Sequence, residues 1–177
     1  LIVSNKGLGL RMSMSEVPIT STTAKGVKGM NLPQKQKLAS GVVLKDHHDL
    51  LILTHRGTIK RVNVIDIPKK KRTNKGVQIY KEVKSNPFMI TDLCLMNATQ
   101  YKNRANIKIN TDKTLININA FDVKIDRTGN GKSFVKPRFG KPLFIIIEEF
   151  EIDDTITPLS DYVKEKNSDI IQQKLFD

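Results

Sequence analysis

The sequence repeats itself at a spacing of 50 residues, and this limits the fold more than any other feature. Leu1-Ile2-Val3-Ser4-Asn5-Lys6-Gly7 returns as Leu51-Ile52-Leu53-Thr54-His55-Arg56-Gly57, and Arg11 returns as Arg61. Thr23-Ala24-Lys25-Gly26-Val27 returns as Thr73-Asn74-Lys75-Gly76-Val77. A looser third copy opens at Ile107-Lys108-Ile109-Asn110-Thr111-Asp112-Lys113 and reaches Arg127-Thr128-Gly129-Asn130-Gly131. A period near 50 lies in the range of one propeller-like blade per repeat.

Within a copy the pattern is that of short strands. Leu50 to Thr54 is a continuous apolar run, and His55-Arg56-Gly57-Thr58 a turn. Arg61-Val62-Asn63-Val64 then alternates, placing the valines on one face and Arg61 and Asn63 on the other. Ile116 and Ile118 repeat this against Asn117 and Asn119, as do Leu10, Met12 and Met14 against Arg11 and Ser13. Val77 to Tyr80 and Phe88 to Met96 supply two more strands. No segment before residue 158 has helical periodicity. The expectation is an all-β body of about four strands per repeat: blades at 1–49, 50–105 and 106–150, then an acidic tail at 151–177. Thr157 and Pro158 could open a helix in that tail. The chain starts without Met and reads as a fragment of a longer polypeptide.

Charge follows the same division. Of a net +12, residues 1–147 hold +18 and residues 148–177 hold −6. A basic body with an acidic tail points to a polyanionic partner, nucleic acid first. Each repeat places a basic, glycine-bearing loop between its second and third strands, at 21–26, 69–76 and 126–132. Glycine lets backbone N–H groups approach a phosphate, hydroxyls donate to it, and Lys or Arg neutralises it. One such loop is an ordinary solvated turn; three equivalent loops form a track. The candidate duplex-DNA contacts are Arg11, Lys25, Lys28, Lys60, Arg61, Lys69, Lys70, Lys71, Arg72, Lys75, Arg127 and Lys132.

Other chemistry is poorly supported. Cys94 alone allows neither an internal disulfide nor a multi-cysteine zinc site, and in Leu93-Cys94-Leu95-Met96 it reads as a core thiol. His47-His48-Asp49 is a surface turn rather than a metal site. Gly129-Asn130-Gly131-Lys132 lacks the spacing and following helix of a nucleotide loop. No catalytic constellation and no cofactor site is expected. No apolar run reaches the roughly 20 residues of a membrane helix.

Gly7-x-x-x-Arg11, Glu16-Val17 and Thr22-Thr23-Ala24-Lys25-Gly26-Val27-Lys28-Gly29-Met30 closely resemble a blade of the C-terminal domain of type IIA topoisomerase A subunits. Gly57-x-x-x-Arg61 and Lys75-Gly76-Val77 match the next blade. The third departs, with Lys113 and Asn117 at the glycine and arginine positions. The resemblance covers roughly residues 1–150 and implies a β-pinwheel whose rim binds and bends duplex DNA. No loop reproduces the Gln-Arg-Arg-Gly-Gly-Arg-Gly box of the gyrase branch, which favours the topoisomerase IV branch; gyrase remains the alternative. A protein-interaction propeller with a basic surface is the rival outside the family. The family's nucleophilic tyrosine follows an arginine in another domain; Tyr80, Tyr101 and Tyr162 follow Ile79, Gln100 and Asp161. The chain is therefore expected to be a non-catalytic domain of an ATP-dependent enzyme. Its expected partners are duplex DNA, the A-subunit core and the ATPase B subunit. It is expected to be monomeric as a fragment, bacterial, cytoplasmic and nucleoid-associated.

Overall fold

The computed structural model describes residues 1–148 except 45, 46, 82, 84, 86, 127 and 128. Arg127, most of the acidic run and the tail helix expected at Thr157 lie outside the described residues. The elements in chain order are β1 (Ile2–Ser4), β2 (Leu8–Leu10), β3 (Leu38–Gly41), β4 (Asp49–Thr54), β5 (Thr58–Asn63) and β6 (Val77–Gln78). Then follow β7 (Ile90–Met96), α1 (Ala98–Lys102), β8 (Asn106–Thr111), β9 (Leu115–Asn119), β10 (Lys132–Ser133) and β11 (Pro142–Ile147). No apolar periodicity announces α1, which is a single local turn of helix. Asn97 accepts from the Gln100 backbone N–H while the Gln100 side chain accepts from that of Asn97.

Three antiparallel sheets form the β-pinwheel blades, in the orders β3-β1-β2-β6, β10-β5-β4-β7 and β11-β8-β9. The sheets are out of phase with the sequence repeat. β6 pairs with β2 of the preceding repeat, and β10 with β5. Each of the first two blades is thus closed by a two-residue strand from the repeat that follows it. Among the described residues no strand closes the free edge of β9.

Hydrophobic pattern records the position of each blade. β4 is apolar at every position from Leu50 to Leu53 because both its faces are covered. Leu50 and Ile52 pack toward the first blade, Leu51 and Leu53 toward the third. β8 alternates because only one face is covered: Ile107 and Ile109 join the core shared with the second blade. Thr54 and Thr111 occupy equivalent hairpin positions, so Lys108 and Asn110 stand where β4 has Leu51 and Leu53. The third hairpin is also one residue shorter than the others. Thr111 and Thr114 flank a two-residue turn of Asp112 and Lys113. The first two turns each have three residues ending in glycine at positive φ, Gly7 and Gly57. Setting Lys113 against the glycine is therefore corrected: the glycine position is missing from the third turn.

Candidate nucleic-acid interface

After its second strand each repeat makes a single 3-10 turn: Met14–Glu16, Val64–Asp66 and Ala120–Asp122. Ser13, Asn63 and Asn119 cap them, each accepting from the N–H two residues on. The basic loops leave from these turns, so their place depends on how the turns are held.

The arginines of the Gly-x-x-x-Arg pattern do the holding. Arg11 is 5% exposed, and its Nη1 donates to the carbonyls of Val64 at 3.2 Å and Ile67 at 3.0 Å, at the two ends of the next repeat's turn. Arg61, also 5% exposed, donates to the Val123 carbonyl at 3.3 Å and to Asp49 Oδ2 at 2.6 and 2.8 Å. Its guanidinium carbon lies 3.7 Å from the Tyr101 ring centroid. Lys60 is 2% exposed, and its Nζ donates to the Gly129 carbonyl at 2.8 Å. Burial lowers its pKa below the ordinary lysine value, and the nearby Asp126 carboxylate opposes the shift. These three cations were expected on the rim. They lie instead between blades, because a guanidinium or ammonium that reaches backbone carbonyls ties one repeat to the next.

The other candidates separate into two groups. Lys25, Lys28, Lys69, Lys71, Lys75 and Lys132 are exposed, and Lys70 is half-buried. Arg72 is half-buried, donating through Nε to the Glu16 carbonyl at 2.8 Å and through Nη1 to the Lys28 carbonyl at 2.6 Å. Thr73 N–H donates to the Gly29 carbonyl at 3.0 Å and Asn31 N–H to that of Asn74 at 3.1 Å. The first and second basic loops therefore lie side by side, with the lysines outside and Arg72 as the rivet.

The third loop differs from expectation. Its glycine N–H groups do not stand open for an anion: Gly129 N–H donates to Asp126 Oδ1 at 2.6 Å and Gly131 N–H to Oδ2 at 2.7 Å. The chain's own carboxylate fills that nest.

Sequence reasoning missed a set of cations at the hairpin end of the blades, opposite the 3-10 turns. Arg56, Lys113, Lys136, Arg138 and Lys141 are all exposed there. The signal was available: Lys6, Arg56 and Lys113 stand at the same turn position in all three repeats. Among the described residues no group of three His, Cys, Asp or Glu could hold a metal ion, and no helix is long and apolar enough to cross a membrane.

Residues 1–45 and 48–86 match the family model of the DNA gyrase C-terminal domain, beta-propeller. The A subunit of DNA topoisomerase 4 from Streptococcus pyogenes serotype M3 is 39% identical over 90 residues, 51% of this chain and 11% of that protein. The A subunit of DNA topoisomerase 4 from Bacillus subtilis is 32% identical over 92 residues, 52% of this chain and 11% of that protein. The crystal structure of the C-terminal domain of DNA topoisomerase IV superposes with a TM-score of 0.73 at 27% identity, over 84% of this chain and 46% of that one. The chain thus matches about a ninth of the length of these curated relatives.

Proposed function

We propose that this chain belongs to the family of C-terminal domains of bacterial type IIA topoisomerase A subunits and binds duplex DNA along its paired basic loops. It bends the segment and presents it to an A-subunit core that works with an ATPase B subunit, in the bacterial cytoplasm beside the nucleoid. The topoisomerase IV branch is the one proposed, with the gyrase branch as the alternative. The observation that carries the reading is the joining of the first two loops, which sets Lys25, Lys28, Lys69, Lys71 and Lys75 on one exposed surface. The mechanism is charge and shape. Smooth bending of a 20–30 bp site by 40–90° costs on the order of 1–6 kcal/mol, which several phosphate contacts must offset.

The test replaces Lys25, Lys71 and Lys75 with Gln and measures duplex affinity against salt. Arg72 is left intact because its removal would separate the loops. The expected result is weaker binding irrespective of sequence, with the slope of log K against log salt reduced by about 0.9 for each phosphate no longer neutralised. An unchanged slope would remove the loops from the interface. Absence of any salt-dependent duplex binding by the parent chain would favour a protein-interaction propeller.

A further inference from the structure

The hairpin end of the second and third blades carries an open cavity of about 550 Å³ outside the loop track. Arg56, Lys113 and Lys141 line it, together with His55, Ser133 and Asp112. Among the described residues none of the three cations has a carboxylate within ion-pair distance. The wall between Lys113 and Lys141 is held in place. Asp112 N–H donates to the Lys141 carbonyl at 3.0 Å, and Asp112 Oδ1 accepts from Lys141 N–H at 2.7 Å. Gly140 permits that closure: it has φ +97°, and a Cβ there would lie 2.1 Å from Asp112 Oδ1. Asp112, the one acidic side chain of the lining, has Oδ1 on the Lys141 N–H and keeps its charge, so the lining sets three cations against one carboxylate. His55 Nδ1 accepts from Met89 N–H at 2.9 Å, which leaves Nε2 as the N–H donor.

We propose that this cavity is a second anion site and takes a phosphate group. Three cations, an imidazole N–H and the Ser133 hydroxyl match the acceptor oxygens and charge of a phosphate, and Arg56 can engage two oxygens at once. Lys69 and Lys70 lie beyond the far end of β4 and β5. Six residues at about 3.3 Å each place them on the order of 20 Å away, too far to share one phosphate. The site does not depend on the loop track. Its phosphate comes either from a second nucleic-acid segment or from a free phosphate-bearing molecule.

Two measurements on the 177-residue chain test this. In the first, inorganic phosphate and a short duplex are titrated while the His55 imidazole resonance is followed, with His55→Gln identifying that resonance. Phosphate is expected to move it, and Arg56→Gln/Lys113→Gln/Lys141→Gln to weaken that response at least tenfold without changing the melting temperature. In the second, an immobilised duplex is asked to retain a second, labelled duplex through the protein. Bridging by the parent chain that the triple variant loses assigns the phosphate to nucleic acid. A phosphate response without bridging assigns it to a free ligand. A His55 resonance that neither probe moves, or one that moves equally in the triple variant, overturns the proposal. Failure of duplex binding alone would remove the loop-track reading and leave the phosphate titration as the test of this one.

Discussion

Arg61 shows how a residue type can be legible and its role not. An arginine on the polar side of an alternating strand, in a basic protein, reads as a surface contact. Here the partner blade covers that side, and the guanidinium is buried against Asp49, the Val123 carbonyl and the Tyr101 ring. Arg61→Ala leaves Asp49 as an uncompensated, largely buried charge, so a loss of roughly 3–5 kcal/mol is expected in denaturant unfolding. Duplex binding by the fraction that remains folded should keep its salt slope. Cys94 is the reverse case: it reads as a core thiol and packs against the core shared by the second and third blades. Burial pushes its thiol up to about 11, so little thiolate exists at neutral pH. Its reaction with a disulfide reagent should be roughly a hundredfold slower in the folded chain than in denaturant. Glu148 behaves oppositely: it accepts from Lys108 Nζ at 2.6 Å, and that hydrogen bond lowers its pKa. The ion pair therefore contributes fully above the unfolded carboxyl value near 4.3 and is lost as pH falls through the lowered folded value. Glu148→Gln should flatten the acid side of a melting-temperature profile against pH.

At the scale of elements, the closing strands decide the architecture, and glycine decides the closing strands. Gly131 has φ +73°, and a Cβ there would lie 2.1 Å from the Ile59 carbonyl oxygen of the strand it joins. Gly26 holds the equivalent conformation, φ +83°, with nothing within 4 Å. Gly26→Ala therefore meets backbone strain alone, about 1–2 kcal/mol. Gly131→Ala meets the same strain and also prevents β10 from docking on β5, so the larger loss belongs to it. Paired unfolding curves check the order, and hydrogen exchange at Phe134 and Val135, whose N–H groups donate to the Gly57 carbonyl, locates the damage. Equal losses in the two variants would show that docking contributes little.

On the scale of the whole molecule, charge is arranged along the direction of the strands. The joined loops are at the 3-10 end and the phosphate cavity at the hairpin end. β11 runs from Pro142, beside the cavity, to Ile147, paired with Ile107, so the chain reaches Glu148 at the 3-10 end. The acidic run Glu148, Glu149, Glu151, Asp153 and Asp154 thus begins on the loop side of the molecule. A tethered segment of opposite charge competes with DNA at high effective concentration even when each contact is weak. Neutralising Glu149, Glu151, Asp153 and Asp154 to Gln or Asn should tighten duplex binding at low salt, with the melting temperature unchanged. Equal affinity would leave the run a solubilising role. Glu148 is kept, because it holds Lys108.

The repeat, the strands and the basic loops were legible in the sequence because each depends on short-range pattern: an offset of 50, alternation of period two, glycine beside lysine. The continuous apolar run of β4 against the alternation of β8 even recorded which blade has both faces covered. Three things needed the tertiary structure. That β6 and β10 close the preceding blade, that Arg11 and Arg61 tie neighbouring turns, and that Asp126 fills the third loop's nest all depend on which segments meet across a blade boundary. Period and charge state what a side chain can do, and only the packing of one repeat on the next decides whether a cation meets solvent or a carbonyl.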